Sequence, residues 1–187
     1  MPSPETATPA VLRLAGVIRE SIVDGPGIRF VVFTQGCPHR CPGCHNPTTH
    51  DPAGGYDSNI ANLVAAFRKN PMLRGVTLSG GDPFAQARAC AELARRIHAL
   101  GKDVVTFTGY TFEQLLRGMD PENGWRELLG ETDILIDGPF LREQKTLTLP
   151  FRGSRNQRML DVPASLAAGR AVEVPAPPVE TVRNIYR

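Results

Sequence analysis

Apolar positions along the chain form two kinds of pattern, short β-branched runs and longer segments with helical spacing. The runs predict four buried strands, at residues 28–33, 76–78, 104–107 and 133–136. Segments in which apolar residues recur every three or four positions predict intervening helices, at residues 59–67, 83–100 and 112–116. Strands separated by helices indicate an α/β fold with a mostly parallel sheet that is covered on at least one face.

The turn after each predicted strand carries glycines or polar residues. In chain order these turns contain Gly36, then residues 79–81, 108–109 and 137–139. In parallel sheets and barrels, ligands bind at the carboxyl ends of the strands. The pattern therefore predicts a functional site at this edge of the sheet, before any particular motif is considered.

Length and composition narrow the class of protein. The chain has 187 residues, a formal net charge of +2 and 41% hydrophobic residues. This predicts one globular domain at residues 11–170, between a disordered tail at 1–10 and a proline-rich tail at 171–187. The near-neutral charge gives no reason to expect a nucleic-acid or membrane partner. Without a signal peptide or a membrane-length apolar run, and with four cysteines, we expect a cytoplasmic protein.

Three of the four cysteines lie close together after the first predicted strand. Cys37, Cys41 and Cys44 are soft ligands that suit an iron–sulfur cluster or zinc. A [4Fe-4S] cluster normally takes four thiolates, so three leave one iron open to a substrate. Cys90 lies on an apolar helix stripe with Leu93, Ala94 and Ile97, which favours a buried hydrophobic role over a fourth ligand.

Two other interpretations of the cysteines stay open. A zinc-stabilised binding module would take His39, His45 or His50 as its fourth ligand, although the chain has no second Cys-x-x-Cys pair. An electron-transfer ferredoxin would close its cluster with a fourth cysteine. The spacing favours the open cluster.

The cysteine pattern Cys-x-x-x-Cys-x-x-Cys resembles the signature of the radical S-adenosylmethionine superfamily. Residues 24–30, Asp-Gly-Pro-Gly-Ile-Arg-Phe, resemble the opening shared by activases of glycyl radical enzymes, and residues 79–83 resemble the Gly-Gly-Glu-Pro segment of the superfamily. Within the activase group, four further segments most closely resemble the activating proteins of anaerobic ribonucleoside-triphosphate reductase: residues 41–47, 107–110, 137–140 and 151–158. The resemblance extends from about Gly16 to about Gly169.

This resemblance implies the fold, the cofactors and the residues that hold them. The implied fold is a single-domain, partial (β/α)6-type barrel, and the implied cofactors are a [4Fe-4S] cluster and S-adenosyl-L-methionine. The cluster ligands would be Cys37, Cys41 and Cys44. The residues that would contact S-adenosylmethionine are Gly43, Cys44, His45, Ser79, Gly80, Gly81 and Asp82.

The implied activity is reductive cleavage of S-adenosylmethionine to a 5′-deoxyadenosyl radical, which installs a glycyl radical on anaerobic ribonucleoside-triphosphate reductase. The protein would need a low-potential electron donor such as a flavodoxin. Beyond the cluster and the cofactor site, no separate catalytic residue is expected. The alternative within the same class is activation of another glycyl radical enzyme, of the pyruvate formate-lyase type.

Some positions depart from the superfamily pattern or have open roles. Asp82 stands where glutamate is commoner, and it is one methylene shorter. The residues Thr108, Tyr110 and Asp137 could line the pocket or serve as ordinary turn formers. A basic cluster comprises Arg152, Arg155 and Arg158. These arginines could contact the cofactor carboxylate or the partner backbone, or they could simply be exposed to solvent.

Overall fold

Seven strands form one sheet in the computed structural model, which describes residues 11–175. The strands are β1 (Val11–Ser21), β2 (Arg29–Thr34), β3 (Tyr56–Asn59), β4 (Gly75–Gly80), β5 (Asp103–Phe107), β6 (Ile134–Asp137) and β7 (Arg158–Asp161). The α-helices within the same residues are α1 (Ile60–Phe67), α2 (Ala87–His98), α3 (Phe112–Gly118), α4 (Trp125–Gly130) and α5 (Val162–Ala168).

The sheet has a parallel centre and antiparallel edges. Its strand order is β3-β1-β2-β4-β5-β6-β7, and β2, β4, β5 and β6 are parallel to one another. These central strands confirm the four that the sequence predicts. The sequence does not predict β1, β3 and β7, which pair in antiparallel fashion; β3 and β7 are the edges, and β1 lies between β3 and β2. The short edge strand β3 reads Tyr-Asp-Ser-Asn, which lacks the apolar run of a buried strand.

Helices cover one face of the sheet, and the main core lies between these helices and the sheet. Apolar side chains from β2, β4 and β5 meet α1 and α2 there, and examples are Val32, Leu78 and Val104. The predicted stripe on α2 is part of this core. Cys90 is fully buried within it, which confirms its role as a small core residue. Burial raises the pKa of its thiol well above the ordinary range.

Two details of the helices differ from the sequence prediction. The segment predicted as one helix at 83–100 starts as a 3-10 turn at Pro83–Gln86 and becomes α2 only at Ala87. Gly101 follows the helix with a φ of 69°, as expected of a residue just past a helix end. Helices α4 and α5 were missed because segments of six and seven residues give too few turns for a clear periodic pattern.

The edges of the sheet and the C-terminal end of the domain can be compared with the predicted barrel and tails. Strands β3 and β7 are the edges of a single mixed sheet within residues 11–175, which confirms the α/β class but not the partial barrel that the resemblance implies. Residues 172–174 hydrogen-bond to β7 and α5, which carries the ordered domain past the predicted boundary at residue 170. Residues 1–10 and 176–187 of the predicted tails lie outside the described residues. None of the helices in the described part combines the length and apolar character that a membrane crossing requires.

Candidate functional site

The cysteine loop leaves the carboxyl end of β2 and is fastened at its base. The backbone N–H of Gly36 donates to the carbonyl of Thr49 (2.8 Å), and that of Cys37 donates to His50 (3.2 Å). The Gln35 amide adds bonds to the carbonyls of Thr48 and Asp51. The loop therefore begins and ends at one point of the sheet edge, as its position after a parallel strand predicts.

All three loop cysteines line one cavity of about 690 Å³ at the carboxyl ends of the central strands. The backbone N–H of Asn46 points at the sulfur of Cys44 (3.3 Å). Burial raises the pKa of Cys37, and the nearby charges of Asp82 and Cys41 act in the same direction, while backbone amides of residues 39 and 40 oppose it. Backbone donors beside sulfur atoms suit thiolate ligands of a cluster.

The Gly-Gly turn after β4 forms the wall beside the cysteine loop. Ser79, Gly80 and Gly81 all line the cavity, as predicted. Gly80 has a φ of 97°, and a Cβ there would lie 2.6 Å from the backbone of Phe33. A Cβ on Gly81 would lie 2.2 Å from the carbonyl oxygen of Gly36. Glycine is required here because the β4 turn lies directly against the base of the cysteine loop.

Asp82 does not line the cavity. Its side chain is 0% exposed and accepts hydrogen bonds from the backbone N–H of Phe84 (2.9 Å) and Gly109 (3.0 Å) and from the hydroxyl of Thr108 (2.9 Å). A further bond of 2.8 Å joins it to Nε2 of His39. The carboxylate points into the protein and both of its oxygens already accept hydrogen bonds from the described chain, while its contact with the amino group of S-adenosylmethionine stays a prediction.

Two predicted neighbours of the third cysteine separate in the structure. His45 lines the cavity and packs against the ring of Phe140, with the ring centroids 5.1 Å apart. Gly43 is exposed, lies outside the cavity lining and has a φ of 76°. Its backbone turns the loop towards Cys44, so the residue shapes the loop rather than the cavity wall.

The residues with open roles also separate. Thr108 lines the cavity, whereas Tyr110 and Asp137 do not. The Asp137 carboxylate is buried, accepts from the backbone N–H of Phe112 at the start of α3 and pairs with Arg158. Arg158 also pairs with Glu113. The hydrogen bond from Arg158 lowers the pKa of Glu113 to about 2, although burial opposes the shift.

Replacement of Arg158 with methionine is expected to destabilise the fold by about 2–3 kcal/mol, because it leaves the buried Asp137 carboxylate without its cation. The measurement is chemical unfolding, with the exposed Arg155→Met variant as the matched control. The depressed pKa of Glu113 stabilises the wild type above pH 4.5, and that contribution is lost as pH falls from 4.5 to about 2. The variant should lack this acid dependence. Equal stability of the two variants would contradict the structural role of Arg158.

Arg152 is the member of the basic cluster that faces the site. It lines the cavity, and its buried Nε has no hydrogen-bond partner among the described residues. The preceding residue, Phe151, has a φ of 63°, and hydrogen bonds from Gly153 and Ser154 to the Gln157 side chain hold the segment in place. A guanidinium that lines a cavity without a paired carboxylate is available to an anionic group.

Several cavity residues received no role from the sequence. Asp24 supplies a carboxylate, and exposed apolar side chains edge the cavity, namely Ile18 (44% exposed), Val23 (71%) and Leu147 (90%). Asp24 belongs to the motif at 24–30, which was the available signal. The apolar edge had none, because its members are scattered along the sequence and meet only in the fold.

The donor set fits an iron–sulfur cluster with one open corner. Three thiols reach the cavity and the fourth, Cys90, is buried in the core away from it. Nowhere in residues 11–175 do three His, Cys, Asp or Glu side chains converge on a single ion position. The thiols line a cavity large enough for a cluster and a small ligand together.

Comparison of the sequence with known families and proteins supports the same class. Residues 23–160 match the family described as a 4Fe-4S single cluster domain. The chain is 36% identical over 144 residues to the anaerobic ribonucleoside-triphosphate reductase-activating protein of Vibrio cholerae, which covers 73% of this chain and 89% of the relative. The protein of that name from Enterobacteria phage T4 is 35% identical over 143 residues, covering 73% and 86%. The crystal structure of QueE from Escherichia coli matches 54% of this chain and 53% of its own, with a TM-score of 0.43 and 17% identity.

Proposed function

Because the chain belongs to the family of anaerobic ribonucleoside-triphosphate reductase-activating proteins, we propose that it is the enzyme that installs a glycyl radical on that reductase. It uses a [4Fe-4S] cluster and S-adenosylmethionine. The observation that carries the proposal is the cavity at the carboxyl ends of the strands, which brings three thiols and the Gly-Gly turn together without a fourth cysteine.

Residues of this chain would hold both cofactors. Cys37, Cys41 and Cys44 would hold the cluster and leave one iron open. When bound, the cluster and S-adenosylmethionine supply, after uptake of one electron, methionine and a 5′-deoxyadenosyl radical that removes a hydrogen atom from a glycine of the reductase. The protein binds and orients the cofactor so that electron transfer occurs within one complex.

Cavity residues offer a complementary group for each part of S-adenosylmethionine. The backbone of Ser79, Gly80 and Gly81 lies beside the cysteine loop, where the methionine end would bind. Arg152 pairs with no carboxylate among the described residues, and it would pair with the carboxylate of that end. The rings of His45 and Phe140 lie at 47° to each other, and either ring offers a face on which the adenine can stack. Gly43 and Asp82 support these contacts from outside the cavity.

The substrate proposed for this cavity is the backbone of another protein, and the cavity edge suits it. Ile18, Val23 and Leu147 expose large apolar side chains around the opening. Apolar edges of this kind are typical of protein-binding surfaces, and a docked partner would exclude water from the radical. The partial barrel implied by the resemblance, a low-potential donor such as a flavodoxin and a cytoplasmic location belong to the same proposal.

A mixture of the reconstituted protein, S-adenosylmethionine, a reductant and a candidate anaerobic ribonucleoside-triphosphate reductase tests the function. We expect a glycyl radical doublet by electron paramagnetic resonance, which disappears when S-adenosylmethionine is omitted. Pyruvate formate-lyase in place of the reductase is the control for the alternative target and should give no doublet. A doublet with pyruvate formate-lyase alone would assign the protein to that enzyme instead.

A further inference from the structure

We infer that His39 and Asp82 form a buried clamp that positions the cysteine loop, so that Asp82 serves this loop and not the amino group of the bound cofactor. The inference deepens the proposed function, because the loop is where the cluster would be held. It differs from the role that the resemblance implies for the acidic residue after the Gly-Gly turn.

Asp82 connects three segments of the chain through hydrogen bonds. Its buried carboxylate accepts bonds from three segments of the chain: its own turn at Phe84, the end of β5 at Thr108 and Gly109, and the cysteine loop at His39. A carboxylate can only accept, so the 2.8 Å bond runs from the Nε2–H of His39 to Asp82. Asp82 thus joins the ends of β4 and β5 to the loop.

The ring of His39 is closely packed against the turn after β5. Its ring is mostly buried and packs edge-on against Tyr110, with the centroids 4.3 Å apart. A Cβ on Gly109 would lie 2.4 Å from this ring, so the strand end leaves the space that the imidazole fills. His39 therefore occupies a fitted pocket formed by the turn after β5, with Asp82 at its polar end.

The remaining bonds of the loop show why one clamp matters. Backbone bonds fasten the loop at its base, at Gly36 and Cys37. Residues 38–43 make a single hydrogen bond to described residues outside the cysteine loop. It is the bond between His39 and Asp82. This span contains Cys41 and the left-handed Arg40, with a φ of 46°. The clamp consequently fixes the middle of the loop, between the first two thiols.

The same geometry explains why aspartate stands where glutamate is commoner. Asp82 is 0% exposed, and its short side chain reaches His39, Thr108 and Gly109 at 2.8–3.1 Å. One more methylene would have to fit into a closed site, which displaces the carboxylate from these donors. Histidine in the loop and aspartate after the Gly-Gly turn therefore fit together as a pair.

The test compares His39→Gln, which keeps a donor near the position of Nε2, with His39→Phe, which keeps the ring packing and removes the donor. Asp82→Glu restores the commoner residue. His98→Gln is the matched control, because His98 also bonds carboxylates, those of Glu131 and Asp133, but lies at the C-terminal end of α2. The first measurement is the rate of cluster loss to an iron chelator without S-adenosylmethionine. The second is hydrogen exchange, in the cluster-free chain, of the four backbone amides within residues 38–43, which exclude Pro38 and Pro42.

We expect His39→Phe and Asp82→Glu to lose the cluster at least about 10-fold faster than the wild type, and His39→Gln and His98→Gln to stay within about 3-fold. Exchange of residues 38–43 should follow the same order. The inference is overturned if His39→Phe matches His39→Gln in both measurements, or if Asp82→Glu keeps the cluster and binds S-adenosylmethionine as tightly as the wild type. Exchange needs no cofactor, so a wild-type chain without a cluster would contradict the proposed function and leave this test intact.

Discussion

Replacement of Cys41 with alanine is expected to abolish formation of 5′-deoxyadenosine from S-adenosylmethionine, to below about one thousandth of the wild-type rate. Cys41 is the central thiol of the loop and lines the cavity with Cys37 and Cys44. With two thiolates left, two irons of a [4Fe-4S] cluster lack a protein ligand, and the cluster is not retained. The measurements are iron and sulfide content after anaerobic reconstitution, together with 5′-deoxyadenosine formed with dithionite as reductant.

The fourth cysteine provides the matched control for this experiment. Cys90 is fully buried in the core on α2, so Cys90→Ala should cost about 1 kcal/mol of stability and keep about four irons and four sulfides per chain. Full turnover by Cys41→Ala would show that the ligands are assigned incorrectly. A colourless wild-type chain with one zinc would favour the zinc-stabilised module instead.

Replacement of Arg152 with methionine is expected to weaken binding of S-adenosylmethionine about 10- to 100-fold without loss of iron. The Arg152 guanidinium lines the cavity and pairs with no carboxylate of the described chain, so the ligand carboxylate would gain a charge-assisted hydrogen bond from it. Methionine keeps most of the side-chain volume and removes the charge. Equilibrium binding to the reconstituted protein, before reduction, measures this contact without the chemical step.

Two further variants isolate the charge. Arg152→Lys keeps a cation and should bind S-adenosylmethionine within about 5-fold of the wild type. Arg155→Met removes an exposed arginine of the same cluster and should leave binding unchanged. If Arg152→Met and Arg152→Lys bind equally well, the charge makes no contact with the cofactor. 5′-Methylthioadenosine, which lacks the carboxylate, should be insensitive to Arg152→Met; a parallel loss would place Arg152 at the nucleoside.

Features encoded by neighbouring residues were predictable from the sequence. The β-branched runs that form β2, β4, β5 and β6 are local patterns, and burial on both faces makes such runs conspicuous. The three thiols lie within a span of eight residues, so their placement on one loop needs no knowledge of the rest of the fold. The Gly-Gly turn follows a predicted strand for the same reason, and parallel strands bring it to the cysteine loop.

Features that depend on distant pairs were decided by the tertiary structure. The edge strand β3 carries few apolar residues, because none of its four side chains is buried in the core. The sequence places Arg152 and Arg158 in one basic cluster, but the fold turns the first into the cavity and pairs the second with Asp137.

Asp82 illustrates the limit most clearly. Its position after Gly81 predicts a residue beside the cofactor, yet three of its four donor residues lie 26 to 43 residues away along the chain. Local spacing determines which chemical groups arrive at the sheet edge, because strand and turn are encoded by adjacent residues. Which way a side chain points, and which partner it meets, follows from how β4, β5 and the cysteine loop pack in three dimensions.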